Sequence, residues 1–341
     1  MSTLILAADV GASKTDLALY SAAAGPDKPL ARATVPTAKY ASFIELVGEF
    51  VEGAGHAVDR AVFAVAGPVV DGCVTATISH LPWALDQRLL RRDLNIASLE
   101  LINDLEAVAL AIPYLGSDDV QLLKSGRPEK RGARAVIAPG TGLGEAFLLW
   151  DGQEYRACTS EGGHANFASS TSFEVELCQY IQKTYGYASY ELACSGLGLP
   201  NIYTCLKAGG YATEPAWLAA QLAAADDPTP VIIKAAVDRN PPAELCDLAA
   251  QIFIEILAAE AGNLALKVVA TGGVYIGGGL ALRMLPILQR EHARFNQAFC
   301  NKGIMAEMME DIPVQVMVHP QVALVGAARW AWRSTDRRAL P

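Results

Sequence analysis

Leu4-Ile5-Leu6-Ala7-Ala8-Asp9-Val10-Gly11-Ala12-Ser13-Lys14-Thr15-Asp16-Leu17-Ala18-Leu19-Tyr20 decides how this chain is read. An apolar run, Thr3–Ala8, delivers a carboxylate to a turn of small residues, and Asp16–Tyr20 alternates after it. Strand, small-residue turn, strand is the simplest reading. The pattern returns at Ala135–Ala138, Pro139 to Gly144 and Ala146–Trp150. Two copies of one short pattern, each opening half of the chain, suggest two related halves facing one ligand.

The remaining elements are arranged around these two openings. Leu30–Val35 is a third strand, and Phe43, Leu46, Val47, Phe50 and Val51 recur at helical spacing. Ala61–Ala66 is a continuous apolar run ended by Gly67-Pro68, and Cys73–Ile78 reads as another strand. Leu99–Ile102 ends in Asn103-Asp104, with a helical pattern over Ala107 to Ala111 and Pro113 near its end. The polar stretch Lys124 to Arg134 reads as a loop. Phe173 to Lys267 is mostly helical, and Val268 to Gly279 reads as a strand entering a glycine turn. A helix over Leu280 to Arg290, a strand over Pro313–Val318 and a closing helix over Val322–Trp332 complete the chain. Strands alternating with helices mean an α/β architecture.

Composition narrows the function. With 341 residues, 52% of them hydrophobic and 18% charged, the chain has a core's worth of apolar residues for about two domains. A net charge of −9 argues against a general nucleic-acid binder, though not against a nucleotide, because backbone N–H groups hold phosphate without net positive charge. There is no run of 18 apolar residues and no basic, apolar leader, so neither a membrane span nor a targeting segment is expected. Seven cysteines without a C-x-x-C pair read as reduced thiols, each a small buried apolar residue, in a cytoplasmic protein.

Several motifs carry chemistry. Asp9 to Thr15 can cradle phosphate oxygens, and Asp9 can hold Mg²⁺ through water; it is not a G-x-x-x-x-G-K-[ST] loop. Lys14 reads as a solvated loop lysine before a phosphate ligand. Gly140-Thr141-Gly142-Leu143-Gly144 has G-x-G-x-G spacing and a strand after it, which argues against a dinucleotide fold and for a phosphate-facing hairpin. A third set, Gly272-Gly273 and Gly277 to Gly279, precedes a helix. Asn103-Asp104 lies at a strand's carboxyl end, where α/β folds place ligand groups and where a helix N-cap is also favoured. Glu161-Gly162-Gly163-His164 sets two ligand-capable side chains beside two glycines, and Glu191 is by default a solvated helix residue. No zinc set forms around them, and there is no G-x-S-x-G.

Together these residues resemble the bacterial glucokinase family, ATP-dependent hexose kinases, over nearly the whole chain. The resemblance rests on Ala8 to Thr15, Phe63 to Pro68, Leu101 to Asp104, Ala107 to Leu115, Gly140 to Gly144 and Glu161 to His164, and continues through Ser195 to Leu199, Gly262 to Ala265, Gly272 to Ile276 and Asp311 to Val314. It implies a two-lobed actin-like ATPase (RNase H-like) fold, each lobe a mixed β-sheet flanked by helices. The small lobe would span 1–115, joined by the C-terminal helix of about 320–341, and the large lobe 116–319. The implied reaction moves the ATP γ-phosphate to the 6-hydroxyl of glucose, giving glucose 6-phosphate and ADP, with Mg²⁺, as the entry to glycolysis.

Asp104 would be the general base. Asn103, Asp104, Glu161, His164 and Glu191 would hold the sugar, with no resident metal site. Ala8, Asp9, Val10, Gly11, Ala12 and Ser13 would bind ATP phosphates together with Gly140, Thr141 and Gly142, and Gly272 and Gly273 would lie near adenosine. A homodimer whose lobes close over the sugar is also implied.

The departures are local. Ala12, Ser13 and Lys14 stand where the family usually has Gly-Thr-Asn, and Ala12 fits only if its φ is negative. Lys14 resembles the related ROK sugar kinases, whose cysteine-rich zinc motif is missing here. Ser79-His80 precedes Leu81-Pro82-Trp83 in place of Thr-Asn, and Glu145 stands where an apolar residue is common. A kinase for another hexose or an amino sugar is the first alternative. A sugar-responsive regulator without catalysis is the second, disfavoured by the acidic charge, by the start of the chain at its first strand and by the presence of Asp104.

Overall fold

The computed structural model describes residues 3–26, 28–55, 57–74 and 81–336. The chain forms two compact units. One comprises Met1–Gly116, Asp151–Thr159 and His319–Pro341, the other Ser117–Trp150 and Ser160–Val318.

In the first unit, β1 (Leu4–Val10) turns back as β2 (Lys14–Ser21), and β3 (Pro29–Pro36) follows. After α1 (Phe43–Ala54) come β4 (Arg60–Val65) and the short pair β5 (Cys73–Val74) and β6 (Leu85–Asp86). Then α2 (Gln87–Asp93), β7 (Ser98–Asn103) and α3 (Asp104–Ala111) complete the segment. The main sheet runs β3-β2-β1-β4-β7, antiparallel in the hairpin and parallel across β1, β4 and β7.

This order explains the sequence pattern. β1 and β4 are interior strands with both faces covered, so they read as continuous apolar runs. Leu6, Ala8, Phe63 and Val65 face a core built with Phe43, Leu46 and Val47 of α1, where Phe43 and Phe63 meet edge to face at 5.0 Å. Ile5, Ala7, Val62 and Ala64 face α3 and the last helix. The edge strand β3 alternates exposed and half-buried residues along its length.

The second unit repeats the plan. It contains β8 (Val120–Lys124), β9 (Arg134–Pro139) and β10 (Leu143–Trp150), and β11 (Tyr155–Ser160) begins within the first unit's segment. The helices are α4 (Ser172–Tyr185), α5 (Tyr190–Ala193), α6 (Gly198–Ala208), α7 (Ala216–Ala224), α8 (Thr229–Asp238) and α9 (Glu244–Val268). After β12 (Val274–Ile276) come α10 (Gly279–Arg290), α11 (His292–Cys300), α12 (Ala306–Asp311) and β13 (Val314–Met317). The closing helix α13 (Val322–Asp336) returns to the first unit. The order β10-β9-β12-β13, an antiparallel hairpin and then parallel partners, has the topology of β2-β1-β4-β7. The weak internal repeat is thus a repeat of topology. Its core gathers on α9, which buries Phe253, Ile256 and Leu257.

Several sequence expectations are corrected. Val268 and Val269 end the long helix α9, with Val269 in the left-handed region at φ 51°, and the strand begins only at Val274. β-branched residues favour strands only weakly, and helix packing outweighs that preference here. Lys124 does not open a loop. It ends β8, is buried, and its Nζ donates to the carbonyls of Glu310 at 2.6 Å, Ile312 at 3.0 Å and Ser125 at 3.2 Å. Three acceptors replace the water that an ammonium loses on burial.

The cysteines are all free, but only Cys194, Cys205 and Cys246 are buried, and Cys73 is exposed. Cys73–Ile78 forms a strand only at Cys73–Val74 among the described residues; the rest of that stretch lies outside them, as do Ser79 and His80. No helix among the described residues is long and apolar enough to cross a membrane.

Candidate active site

The first unit supplies a carboxylate from a strand end and a carboxylate from a helix start. β1 carries Asp9 to its carboxyl end, and the turn that follows is exposed at Ala12 and Ser13. The Gly11 N–H donates to Lys14 O at 3.0 Å, and Thr37 donates its N–H to Ser13 O and its hydroxyl to Gly11 O. These bonds brace the turn, whose tip residues Ala12 and Ser13 are exposed. Ala12 is not among the residues with positive φ, so an alanine fits there without strain.

Ala8 and Val10 turn their side chains into the core. Both are buried core residues of a strand paired on both sides, and neither offers a side chain to a ligand. Asp9 is half-buried. Burial, reinforced by the negative charge of Asp16 and opposed by Lys14, pushes its carboxyl up to about 6. Lys14 is not a free lysine, since its Nζ pairs with Asp16 Oδ2 at 2.8 Å. Burial works to raise Asp16, but hydrogen bonds from Lys14, Thr34 and Gln321 outweigh it and hold that carboxyl below its ordinary range.

Asn103 and Asp104 sit where β7 becomes α3. Asn103 caps the helix, its Oδ1 accepting from the Leu105 N–H at 2.9 Å and the Glu106 N–H at 3.1 Å. Its Nδ2 donates to Gly67 O at 2.9 Å, tying the cap to the loop after β4. Most of this amide is therefore spent on holding the turn, and one N–H remains. Asp104, the first residue of α3, is half-buried, and its Oδ1 accepts from the Leu105 N–H at 2.8 Å. Capping and ligand binding meet on one dipeptide.

The second unit brings the other expected residues together. Gly140, Thr141 and Gly142 form the turn between β9 and β10, which begins at Leu143, earlier than the sequence pattern indicated. The Gly140 N–H donates to Gly142 O at 2.8 Å, and Gly140 O accepts from the Gly196 N–H at 2.8 Å. Thr141 is exposed at the tip. Glu161 and His164 flank a turn of 3-10 helix, Gly162–His164, and both side chains are exposed.

Glu191, in the short helix α5, joins the two groups. Its Oε2 accepts from the Leu143 N–H at 3.0 Å, and its Oε1 lies 3.9 Å from His164 Nδ1. A carboxylate expected by default to be solvated is instead anchored on the glycine hairpin, beside the histidine.

Gly272 and Gly273 are buried. The Gly272 N–H donates to Ala133 O at 2.8 Å and the Gly273 N–H to Ala270 O at 2.9 Å, so these two glycines shape the entry to β12. The exposed glycine of this segment is Gly279, at the start of α10. Glu145, absent from the expected site set, lies buried against Gly162 of the Glu161–His164 turn. Among the described residues no group of three or more His, Cys, Asp or Glu is arranged to hold a metal ion.

The first unit offers an exposed small-residue turn and a carboxylate at a helix start, and the second offers a glycine turn with two carboxylates and an imidazole near it. Such a set suits a phosphorylated ligand and a polyhydroxyl one.

Comparison with known proteins gives the same direction. A sequence model described as "Glucokinase" matches residues 6–334. The glucokinase of Nostoc punctiforme is 35% identical over 345 residues, covering 97% of this chain and 99% of the relative. The crystal structure of a glucokinase from an Antarctic psychrotroph superposes with a TM-score of 0.80 at 30% identity, over 98% of this chain and 100% of that one. A ROK-family glucokinase from Streptomyces griseus, in complex with glucose and AMPPNP, shares the fold at a TM-score of 0.64 and 20% identity, over 97% of this chain and 99% of that one. The α/β architecture is the actin-like ATPase fold of the sugar kinases. From residue 6 to residue 334 the chain belongs to the glucokinase family.

Proposed function

We propose that this protein is an ATP-dependent glucokinase, transferring the γ-phosphate of ATP to the 6-hydroxyl of glucose. Membership of the family supports the reading, and one observation within the second unit carries it to the residues. Glu191 bonds the Leu143 amide of the glycine hairpin with one carboxylate oxygen and faces His164 with the other. A group suited to phosphate and a group suited to hydroxyls are therefore built into one rigid cluster, as phosphoryl transfer to a sugar requires.

In this reading Glu161, His164 and Glu191 accept and donate hydrogen bonds to sugar hydroxyls, and Asn103 adds its remaining N–H. Asp104 takes the proton from the attacking 6-hydroxyl and aligns its oxygen. The amides of Ala12 and Ser13, and those of Thr141 and Gly142, face phosphate oxygens. Asp9 and the Ser13 hydroxyl fit a hydrated Mg²⁺: the Asp9 carboxyl is pushed toward protonation by burial and by Asp16, and a cation beside it would restore its charge. Bound Mg²⁺ supplies charge neutralisation on the phosphates. The two compact units act as the two lobes of the kinase, and the working protein is a cytoplasmic homodimer.

A coupled assay over a panel of hexoses and amino sugars, with ATP, ADP and polyphosphate as donors, tests the reading. Glucose with ATP should give the highest kcat/KM. A higher value for another sugar would reassign the substrate, and no turnover with any pair would sink the kinase reading. His164→Ala should raise the glucose KM ~3–10-fold, the worth of one neutral hydrogen bond, and leave the ATP KM unchanged. An unchanged glucose KM would remove His164 from the sugar site.

A further inference from the structure

Beneath the Glu161–His164 turn lies a buried carboxyl that no step above uses. Glu145 of β10 is 1% exposed. A Cβ built on Gly162 would lie 1.8 Å from Glu145 Oε2 and 2.7 Å from its Cδ, so the carboxyl fills the space a side chain at position 162 would take. The turn above is held to α5 by the Tyr190 N–H, which donates to Ala165 O at 3.0 Å. Beside Glu145 lies Glu260 of α9, which is fully buried. Glu260 accepts from Lys267 Nζ at 3.2 Å and from Asn263 Nδ2 at 2.8 Å. Asn263 Nδ2 also reaches the Tyr190 hydroxyl at 2.9 Å, and Asn263 Oδ1 accepts from Lys302 Nζ at 2.7 Å. Tyr190 adjoins Glu191.

We propose that Glu145 is a positioning residue: its carboxyl is the strut on which the Glu161–His164 turn rests, and the Glu260, Asn263 and Tyr190 chain ties that strut to the helix carrying Glu191. The proposal rests on the glucokinase reading for the meaning of "sugar site", but the strut itself does not.

The charge balance decides how the strut works. Glu260 has a cation and an amide donor as partners. Glu145 Oε1 has no hydrogen-bond partner, and a buried carboxylate without a donor is costly. Burial first, then repulsion from Glu260, outweigh the attraction of Lys267 and push Glu145 up to about 8. The other titratable groups facing the pair are Tyr190, raised by burial and by Glu260, Cys194, raised by burial and by both carboxyls, and Lys302, lowered by burial. Near neutral pH Glu145 is therefore a neutral acid. Ionising it would leave a carboxylate without a donor for Oε1 beside Glu260, under the turn.

Two pH windows follow. The native pKa is raised above the ordinary 4.5, so this group's contribution to stability is full below 4.5 and lost as pH rises toward about 8. The site geometry changes at higher pH, where the native carboxyl itself ionises.

The test uses the full chain, wild type and Glu145→Gln and Glu145→Ala, with glucose binding measured by calorimetry and KM by steady-state kinetics from pH 6 to 9.5. Wild-type glucose affinity should fall ~5–10-fold above pH 8 while the ATP KM stays level, the size of shift expected when about one favourable hydrogen-bonded contact is lost. Glu145→Gln should keep wild-type affinity at pH 7 and abolish this pH dependence. Glu145→Ala should weaken glucose binding at every pH. A flat wild-type profile, or one that Glu145→Gln reproduces, overturns the strut. Thermal unfolding separates the two readings. If no sugar binds at any pH the glucokinase reading fails, whereas wild-type Tm should still decline relative to Glu145→Gln between pH 4.5 and 8. Parallel Tm curves would overturn the strut even then.

Discussion

Asp104→Asn should bind glucose within several-fold of wild type while kcat falls ~10²–10⁴-fold, the range usual for loss of a general base. A primary alcohol is a weak nucleophile, and losing its proton during attack helps it. A carboxylate within hydrogen-bond distance accepts that proton and holds the oxygen in line with the phosphorus. The amide keeps the size and one acceptor and removes the basicity. The fold protects the comparison, because the α3 cap is made by Asn103, whose Oδ1 takes the Leu105 and Glu106 N–H groups, and not by Asp104 alone. Asn103 cannot take over, since an amide is not basic and its oxygen is already committed. Asp104→Ala should lose both kcat and some affinity, since alignment goes as well. If departure of the phosphate is largely dissociative, the base acts late and the loss falls at the low end of that range. A near-wild-type kcat in folded Asp104→Asn would move the base elsewhere or remove the need for one.

Gly326→Ala should have the largest effect on stability. Gly326 lies in α13 where that helix crosses α3, and an added Cβ would meet Ala107 O at 1.7 Å and Ala107 C at 2.6 Å. Backbone cannot move aside as a side-chain end can, so the two helices must part. Overpacking of this kind costs ~1–3 kcal/mol, and Tm should fall by ~2–12 °C, at ~2–4 °C per kcal/mol. Because α3 begins at Asp104, kcat should fall in the folded fraction too. Gly48→Ala is the matched comparison. Gly48 lies inside α1 with nothing within 4 Å of an added Cβ, and alanine there should raise stability by ~0.5–1 kcal/mol. Opposite signs for one substitution in two helices would assign the effect to the crossing. Equal signs would refute it.

The opening stretch Leu4 to Tyr20 was enough to specify a strand, a small-residue turn and a strand, because β1 is covered on both faces and an interior strand must be apolar throughout. The same reasoning made the second hairpin legible, along with the long helical region and the closing helix. The identity of the motifs and their order also pointed to the family, and the role of Asp104 is what that resemblance implies.

Other features depended on distant contacts. β8 was not readable, and Lys124 reads as the start of a loop until the carbonyls of Glu310 and Ile312, far along the chain, are brought to its ammonium. Val268 and Val269 look like strand residues until α9 packs into the core and extends through Val268. Ala8, Val10, Gly272 and Gly273 carry the motifs, yet the ladders and packing that bury them appear only in three dimensions.

Glu145 shows the difference most plainly. In sequence it is one acidic residue after a glycine motif. In the fold it is a carboxyl closed off from water, set beside Glu260 and pressed against the backbone of Gly162. Local sequence sets propensity and chemical type. Burial, pairing and the charge a group carries depend on what residues more than a hundred positions away place around it, and that was decided by the tertiary structure alone.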